Sequence, residues 1–189
     1  MILLHSARRP APLAYNLLDR RTGTMLTLFD FTADHDTAAD WRNIDDVVMG
    51  GVSDSTFEAT DDGATFRGTV SLENNGGFAS VRAPNDPRDL SAHDAFRLRL
   101  RGDGQDYWWT TYTSPNSPSY RTRLHPTPDW DIVTIPFDDL VPYHRGTHVP
   151  DAPPFDPSSV YSLGFLIADE QDGAFGLEVA WIRAITRDQ

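Results

Sequence analysis

Residues 95–101 alternate without a break: Phe96, Leu98 and Leu100 are apolar, and Arg97, Arg99 and Arg101 are cationic. A period of two marks a strand with one buried face and one wet or functional face. The same alternation, kept less strictly, runs through residues 26–31, 53–59, 64–72, 78–83, 107–113, 120–124, 130–137, 160–168 and 175–185. Turn signals separate these runs. Asp61-Asp62-Gly63 predicts a hairpin between the second and third of them, and Gly102-Asp103-Gly104 and the acidic stretch from Asp169 to Gly173 end others. About ten strands at this spacing, with no convincing amphipathic helix and no strand–helix–strand alternation, predict an all-β antiparallel β-sandwich or jelly roll. Residues 32–40 read as a turn or short helix with Trp41 as a hydrophobic anchor. Residues 138–157 read as a long proline-rich loop.

One stretch departs from simple alternation. Residues 41–82 contain the acidic pair Asp45-Asp46, an apolar step Val47-Val48-Met49 and two glycine doublets, Gly50-Gly51 and Gly76-Gly77. Glycine doublets mark backbone that other residues enter at a cost, so the block predicts special turn geometry. Its carboxylates have two readings. Either Asp45 or Asp46 caps the turn by accepting backbone N–H bonds, or the pair is a weak calcium candidate, since hard cations take several oxygen ligands.

Length and composition narrow the picture. The chain has 189 residues, enough for one domain with a core. The first 24 are Arg-rich with short, interrupted apolar runs, which predicts a flexible extension or an overlong gene start before a single domain at residues 25–189. There is no cysteine and no lysine, so thiolate chemistry is excluded and every long cationic side chain is an arginine. A net charge of -12 argues against nucleic acid and anionic membrane surfaces as partners. No apolar run reaches membrane-span length, and the expected location is the cytoplasm.

Candidate chemistry is sparse. No nucleophile elbow and no nucleotide loop is present, so the reading is non-enzymatic, with no cofactor. His144 and His148 lie four apart, but in a proline-rich loop and without a third ligand, which argues against a metal site. A binding surface is the better expectation. Arg97, Arg99 and Arg101, with Arg121 and Arg123 on a strand expected nearby, form a candidate cationic patch for carboxylates or phosphates; cross-strand pairing with the many aspartates is the competing reading. Tyr107, Trp108, Trp109 and Tyr112 offer a candidate stacking platform for a sugar, with Trp108 and Trp109 on opposite faces of their strand.

These residues also carry a resemblance. Trp41 with DDVVMGG at residues 45–51 and Ser53, then FRGTVSLENNGGFASVR at 66–82, RGDGQDY at 101–107, Tyr120, Trp130, IPFDDLVP at 135–142, Arg145-Gly146 and SLGFLIAD…GAFGLEV at 162–179 occur in the order seen in the complex I intermediate-associated protein 30 family. The series covers residues 26–185. It implies a galactose-binding-like β-sandwich, with Trp41, Asp46, Met49, Gly50, Gly51, Gly76, Gly77 and Phe78 as structural motif residues. It also implies a non-catalytic assembly factor or chaperone with a protein partner, such as respiratory-complex subunits. Similar sandwiches serve as carbohydrate-binding modules, so a glycan is the alternative ligand.

Overall fold

The computed structural model describes residues 24–187; the expected N-terminal extension falls, but for its last residue, outside them. Thirteen strands follow in chain order: β1 (Met25–Asp30), β2 (Arg42–Asn43), β3 (Asp54–Thr60), β4 (Gly63–Val70), β5 (Ala79–Arg82), β6 (Ala95–Gly102), β7 (Tyr107–Tyr112), β8 (Ser119–Leu124), β9 (Asp131–Pro136), β10 (Val141–His144), β11 (Thr147–His148), β12 (Ser162–Ile167) and β13 (Gly173–Ile185). A single turn of α-helix, α1 (Asp36–Ala39), supplies the short helix expected before Trp41. All pairings are antiparallel and fall into two sheets. Sheet A has the order β3-β4-β13-β6-β9, and sheet B the order β11-β10-β8-β7-β12-β5-β2.

Long β13 is the spine of sheet A. β6 pairs with residues 177–185 of it, while β4 takes residues 173–179 and β1 takes residues 181–185. A bulge between Val179 and Trp181 re-aims the second half of β13. A matching irregularity between Thr27 and Phe29 turns both Leu28 and Phe29 inward, so β1 breaks the strict alternation its sequence suggests.

The expected alternation of β6 holds: Phe96, Leu98 and Leu100 are buried and the arginines between them face outward. The two sheets meet over a core rich in aromatic rings. Trp41 ties the sheets together, stacking on Phe57 of β3 at 4.8 Å and lying 6.1 Å from Phe165 of β12, with Phe29 edge-on at 5.1 Å. A second group joins Phe96 to Trp109 across the sheets at 5.1 Å, with Phe137 and Phe155 closing one end.

One expectation is corrected. Residues 138–157 do not form a plain loop, because β10 and β11 build a small hairpin that extends sheet B beyond β8. Proline hid it: Pro142 sits within β10, next to the two-residue edge strand β11.

Since Trp41 touches rings from both sheets, Trp41→Ala should cost about 3–5 kcal/mol, the usual range for deleting a large buried aromatic. Denaturant unfolding would measure it; a loss below about 1 kcal/mol would show that the sheets are held together elsewhere.

Candidate functional site

The turn after β2 is built around one carboxylate. Asp46 has no exposed surface. Its Oδ1 accepts from the Ser53 N–H at 3.0 Å, and its Oδ2 accepts from the Ser53 hydroxyl at 2.5 Å, the Gly77 N–H at 2.7 Å and the Phe78 N–H at 3.3 Å. The glycine doublets are what let the backbone come this close. A Cβ on Gly51 would collide with the carboxylate, and one on Gly76 would lie 2.6 Å from Oδ2. Gly50 closes the 3₁₀ turn at Asp46–Met49 in the left-handed region, φ 94°.

Asp45 is bound in the same way, by the Ser55 hydroxyl at 2.7 and 2.9 Å and the Ser80 N–H at 3.2 Å. Both acids therefore serve as acceptors for protein donors. A calcium ion would have to displace those donors, and among the described residues no group of three metal-capable acidic or histidine side chains gathers anywhere. The turn-capping reading is the one this geometry supports.

The capped turn presents its apolar residues to solvent. Val47, Val48 and Met49 are 61%, 74% and 67% exposed. With Val52 and Leu72 they make up five of the seven exposed large apolar residues among the described residues, the others being Ile132 and Val141. Clustering of this kind marks an interaction site more often than scattered exposure does.

Met49 also borders a cleft of about 660 Å³ on the outer face of sheet B, whose walls include Phe78, Tyr112, Leu166, Arg82, Arg121 and Arg145. Strand register explains the shape. Arg82, Gly164, Thr110 and Arg121 lie side by side on β5, β12, β7 and β8. Gly164 has no side chain and Thr110 a short one, so the middle of the row is low and the arginines stand at its ends.

The candidate residues fall on opposite faces of the sandwich. Arg97, Arg99 and Arg101 lie on the outer face of sheet A, whereas Arg121 and Arg123 belong to sheet B, so the expectation that the two series are neighbours is corrected. Arg101 forms a bidentate pair with Glu178 of β13, at 3.0 and 2.8 Å, and Arg99 and Arg101 both lie against the Trp130 ring. Arg101 thus makes a cross-strand pair, with a glutamate in place of the expected aspartates, while Arg97 and Arg99 form no ion pair among the described residues.

Tyr107 is corrected as well. Its ring is fully buried, its hydroxyl donates to Asp103 at 3.1 Å and accepts from the Gly176 N–H at 3.0 Å, and burial pushes its pKa up. It is part of the core. Trp108 and Trp109 do point to opposite sides: Trp109 is inside, and Trp108 faces the outer surface of sheet B. There its indole N–H donates to Asp169 at 2.8 Å, and Arg123, itself paired with Asp169 at 3.0 Å, covers the ring at 4.3 Å. His144 and His148 sit on the β10–β11 hairpin, where the ring of His148 packs 5.6 Å from Tyr143.

Two cleft residues, Arg82 and Arg145, were not singled out from the sequence. The available signal was their place in the family blocks, Arg82 as the last residue of the 66–82 block and Arg145 in the Arg145-Gly146 pair.

The architecture is an antiparallel β-sandwich of two sheets. The sequence profile of the family described as complex I intermediate-associated protein 30 matches residues 29–179, and the chain belongs to that family. An uncharacterised protein of Schizosaccharomyces pombe is 29% identical over 175 aligned positions, covering 79% of each chain. Among solved structures, the family 11 carbohydrate-binding module of the Clostridium thermocellum cellulase Lic26A-Cel5E superposes with a TM-score of 0.64 over 87% of this chain and 95% of that one, at 15% identity. The same kind of module in complex with a mixed-linked β-1,3-1,4 tetrasaccharide gives 0.64 over 88% and 97%, at 16% identity. An exo-β-agarase is similar over 86% of this chain but only 25% of its own length, with a TM-score of 0.56 and 10% identity. At such identities the likeness is one of fold. No helix among the described residues is long and apolar enough to cross a membrane.

Burial raises the Asp46 carboxyl, but the Ser53 hydroxyl and the N–H groups of Gly77, Ser53 and Phe78 outweigh it and hold the pKa below its ordinary value. A depressed folded-state pKa adds stability that is complete above the unfolded value, about pH 4, and is lost as pH falls below it. Asp46→Asn should thus lose about 2–4 kcal/mol near neutral pH by placing an amide among buried donors. The gap to the native protein should narrow as pH drops below about 4. Thermal unfolding from pH 7 to pH 3 would check both; a gap independent of pH would refute the ionised-carboxylate account.

Proposed function

We propose that the protein is a non-catalytic binding factor that attends the assembly of a multisubunit complex, holding a protein partner at the end of the sandwich formed by the Val47–Met49 turn and the adjoining cleft. The observation that carries this reading is the exposure of three consecutive apolar side chains on a turn whose backbone is fixed by Asp46. Solvated apolar side chains on a rigid turn lose little conformational entropy on docking, and each contributes its buried area to affinity. The family's description points the same way, since it names association with intermediates of complex I. Respiratory-complex subunits are accordingly the first partners to test.

The carbohydrate reading draws on the fold it shares with carbohydrate-binding modules and on the cleft of sheet B. Side-chain packing weighs against it. The outward rings of this sheet that would stack on a sugar each have a guanidinium over one face: Arg123 on Trp108, Arg82 on Tyr112 at 3.8 Å and Arg121 on Tyr143 at 5.4 Å. A pyranose would have to dislodge those arginines to reach the ring face.

Affinity capture from a native lysate, read by mass spectrometry, separates the two. Subunits of one multisubunit complex should be recovered with the native protein and lost with Val48→Asp, with less than about 0.5 kcal/mol change in stability because the site is exposed. Recovery unaffected by Val48→Asp, together with retardation in gels containing mixed-linked β-glucan, would instead favour the carbohydrate module.

A further inference from the structure

The outward arginines of this acidic protein differ in their surroundings. Arg67, Arg88, Arg101, Arg123 and Arg187 each have a carboxylate within 3.5 Å. Arg82, Arg121 and Arg145 do not appear in any ion pair among the described residues, although the chain carries 28 acidic residues against 16 basic ones. All three line the cleft of sheet B.

Arg121 is partly buried. Its Nε donates to the Ser119 hydroxyl at 2.7 Å, and its terminal nitrogens have no hydrogen-bond acceptor among the described residues. Burial lowers its pKa, and the nearby charge of Arg82 acts in the same direction. Like charges facing one partly desolvated cleft repel each other, and anionic groups bound there relieve that repulsion. The acid whose charge acts on Arg121, Asp169, is already engaged by Arg123 and by the indole of Trp108.

Strand spacing sets the reach. Arg82 and Arg121 stand three strands apart, about 14 Å between backbones, with Gly164 and Thr110 between them. A single small anion would meet one arginine. A chain lying across the strands meets both and passes over Thr110. Arg145, on the tight turn of the β10–β11 hairpin with φ 50°, extends over the same cleft.

We propose that the cleft binds an extended acidic segment of a protein partner, whose carboxylates are taken by Arg82, Arg121 and Arg145. This rests on the protein-partner reading above and adds the chemistry of the segment recognised. The choice of a peptide over an acidic sugar follows from two features already described. The ring faces are covered by guanidiniums rather than open, and Met49 joins the cleft to an apolar turn that suits the apolar side chains of a polypeptide. Guanidinium forks bind carboxylates in bidentate fashion, and their charge is fixed at every physiological pH.

The test is calorimetric titration of the full chain with three probes: a capped nonapeptide of three Glu-Val-Ser repeats, its Gln-Val-Ser counterpart, and trigalacturonate. The acidic peptide should bind at least tenfold more tightly than either of the others. The double variant Arg82→Gln/Arg121→Gln should weaken it at least tenfold, and Arg145→Gln, on an exposed turn where folding is not at stake, about threefold. Arg97→Gln, on the opposite face, should leave it unchanged. Equal binding of the glutamine peptide, tighter binding of trigalacturonate, or no binding of the acidic peptide overturns the proposal. If the acidic peptide fails while Val48→Asp still abolishes capture of the complex subunits, the cleft inference falls and the protein-partner reading stands. If Val48→Asp is also without effect, both fall.

Discussion

A carboxylate shut off from water must be satisfied by protein donors, and Asp46 takes its four from positions 53, 77 and 78. Residues 53 and 77 lie on either side of the β3–β4 hairpin. The carboxylate thus closes the base of that hairpin and fixes where sheet A's edge sits relative to β5 of sheet B. Ser53 adds a further tie, since its hydroxyl also accepts from the Ser71 N–H at 2.9 Å. The two glycine doublets, which look like flexibility in the sequence, are spaces that the carboxylate fills. The Val47–Met49 turn is rigid because its neighbour is buried and charged.

That constraint joins fold to function. The same 3₁₀ turn that buries Asp46 turns the next three side chains outward, so the residue that organises the fold also fixes which apolar side chains are exposed. Asp45 reinforces the arrangement from the other side: its carboxylate binds Ser55 on β3 and the Ser80 N–H on β5, bridging the two sheets at the wall of the cleft. Burial raises the pKa of Asp45, with the charge of Asp46 adding to it, whereas Asp46 is lowered. Adjacent acids pushed in opposite directions are what two carboxylates with unequal numbers of donors should show.

Much of the fold was legible because a half-buried strand leaves its period in the sequence. β6, the hairpin at Asp61-Asp62-Gly63 and the opposite placement of Trp108 and Trp109 all follow from a period of two. The period says which residues share a face, but it does not say which sheet the strand joins. Arg97–Arg101 and Arg121–Arg123 carry the same local pattern, and only the strand order, with β6 next to β13 and β8 next to β7, puts them on opposite sides of the molecule. Tyr107 misled for a related reason: at the start of its strand it alternates correctly, and its inward partner is a polar one, Asp103, which the period does not reveal. The cleft itself is a tertiary object. Its lining comes from β5, β7, β8, β12 and the β10–β11 turn, which lie far apart in the chain.

The electrostatics of the cleft are then a question of range. At physiological ionic strength the field of an exposed charge decays over about 8 Å, so the net charge of -12 governs which partners approach but not what happens inside a cleft of this width. Over that short range the local balance counts, and here it is cationic, because the acids of the neighbourhood are spent elsewhere: Asp169 and Asp106 on Arg123, Asp45 and Asp46 on the turn. A protein with a surplus of aspartate could easily have neutralised Arg82 and Arg121 by a single substitution at Thr110, whose side chain lies between them. Threonine at that position keeps the row short and uncharged in the middle. On such a surface the long-range field repels anions, and an anion that reaches the cleft meets arginines with no ion-pair partner among the described residues.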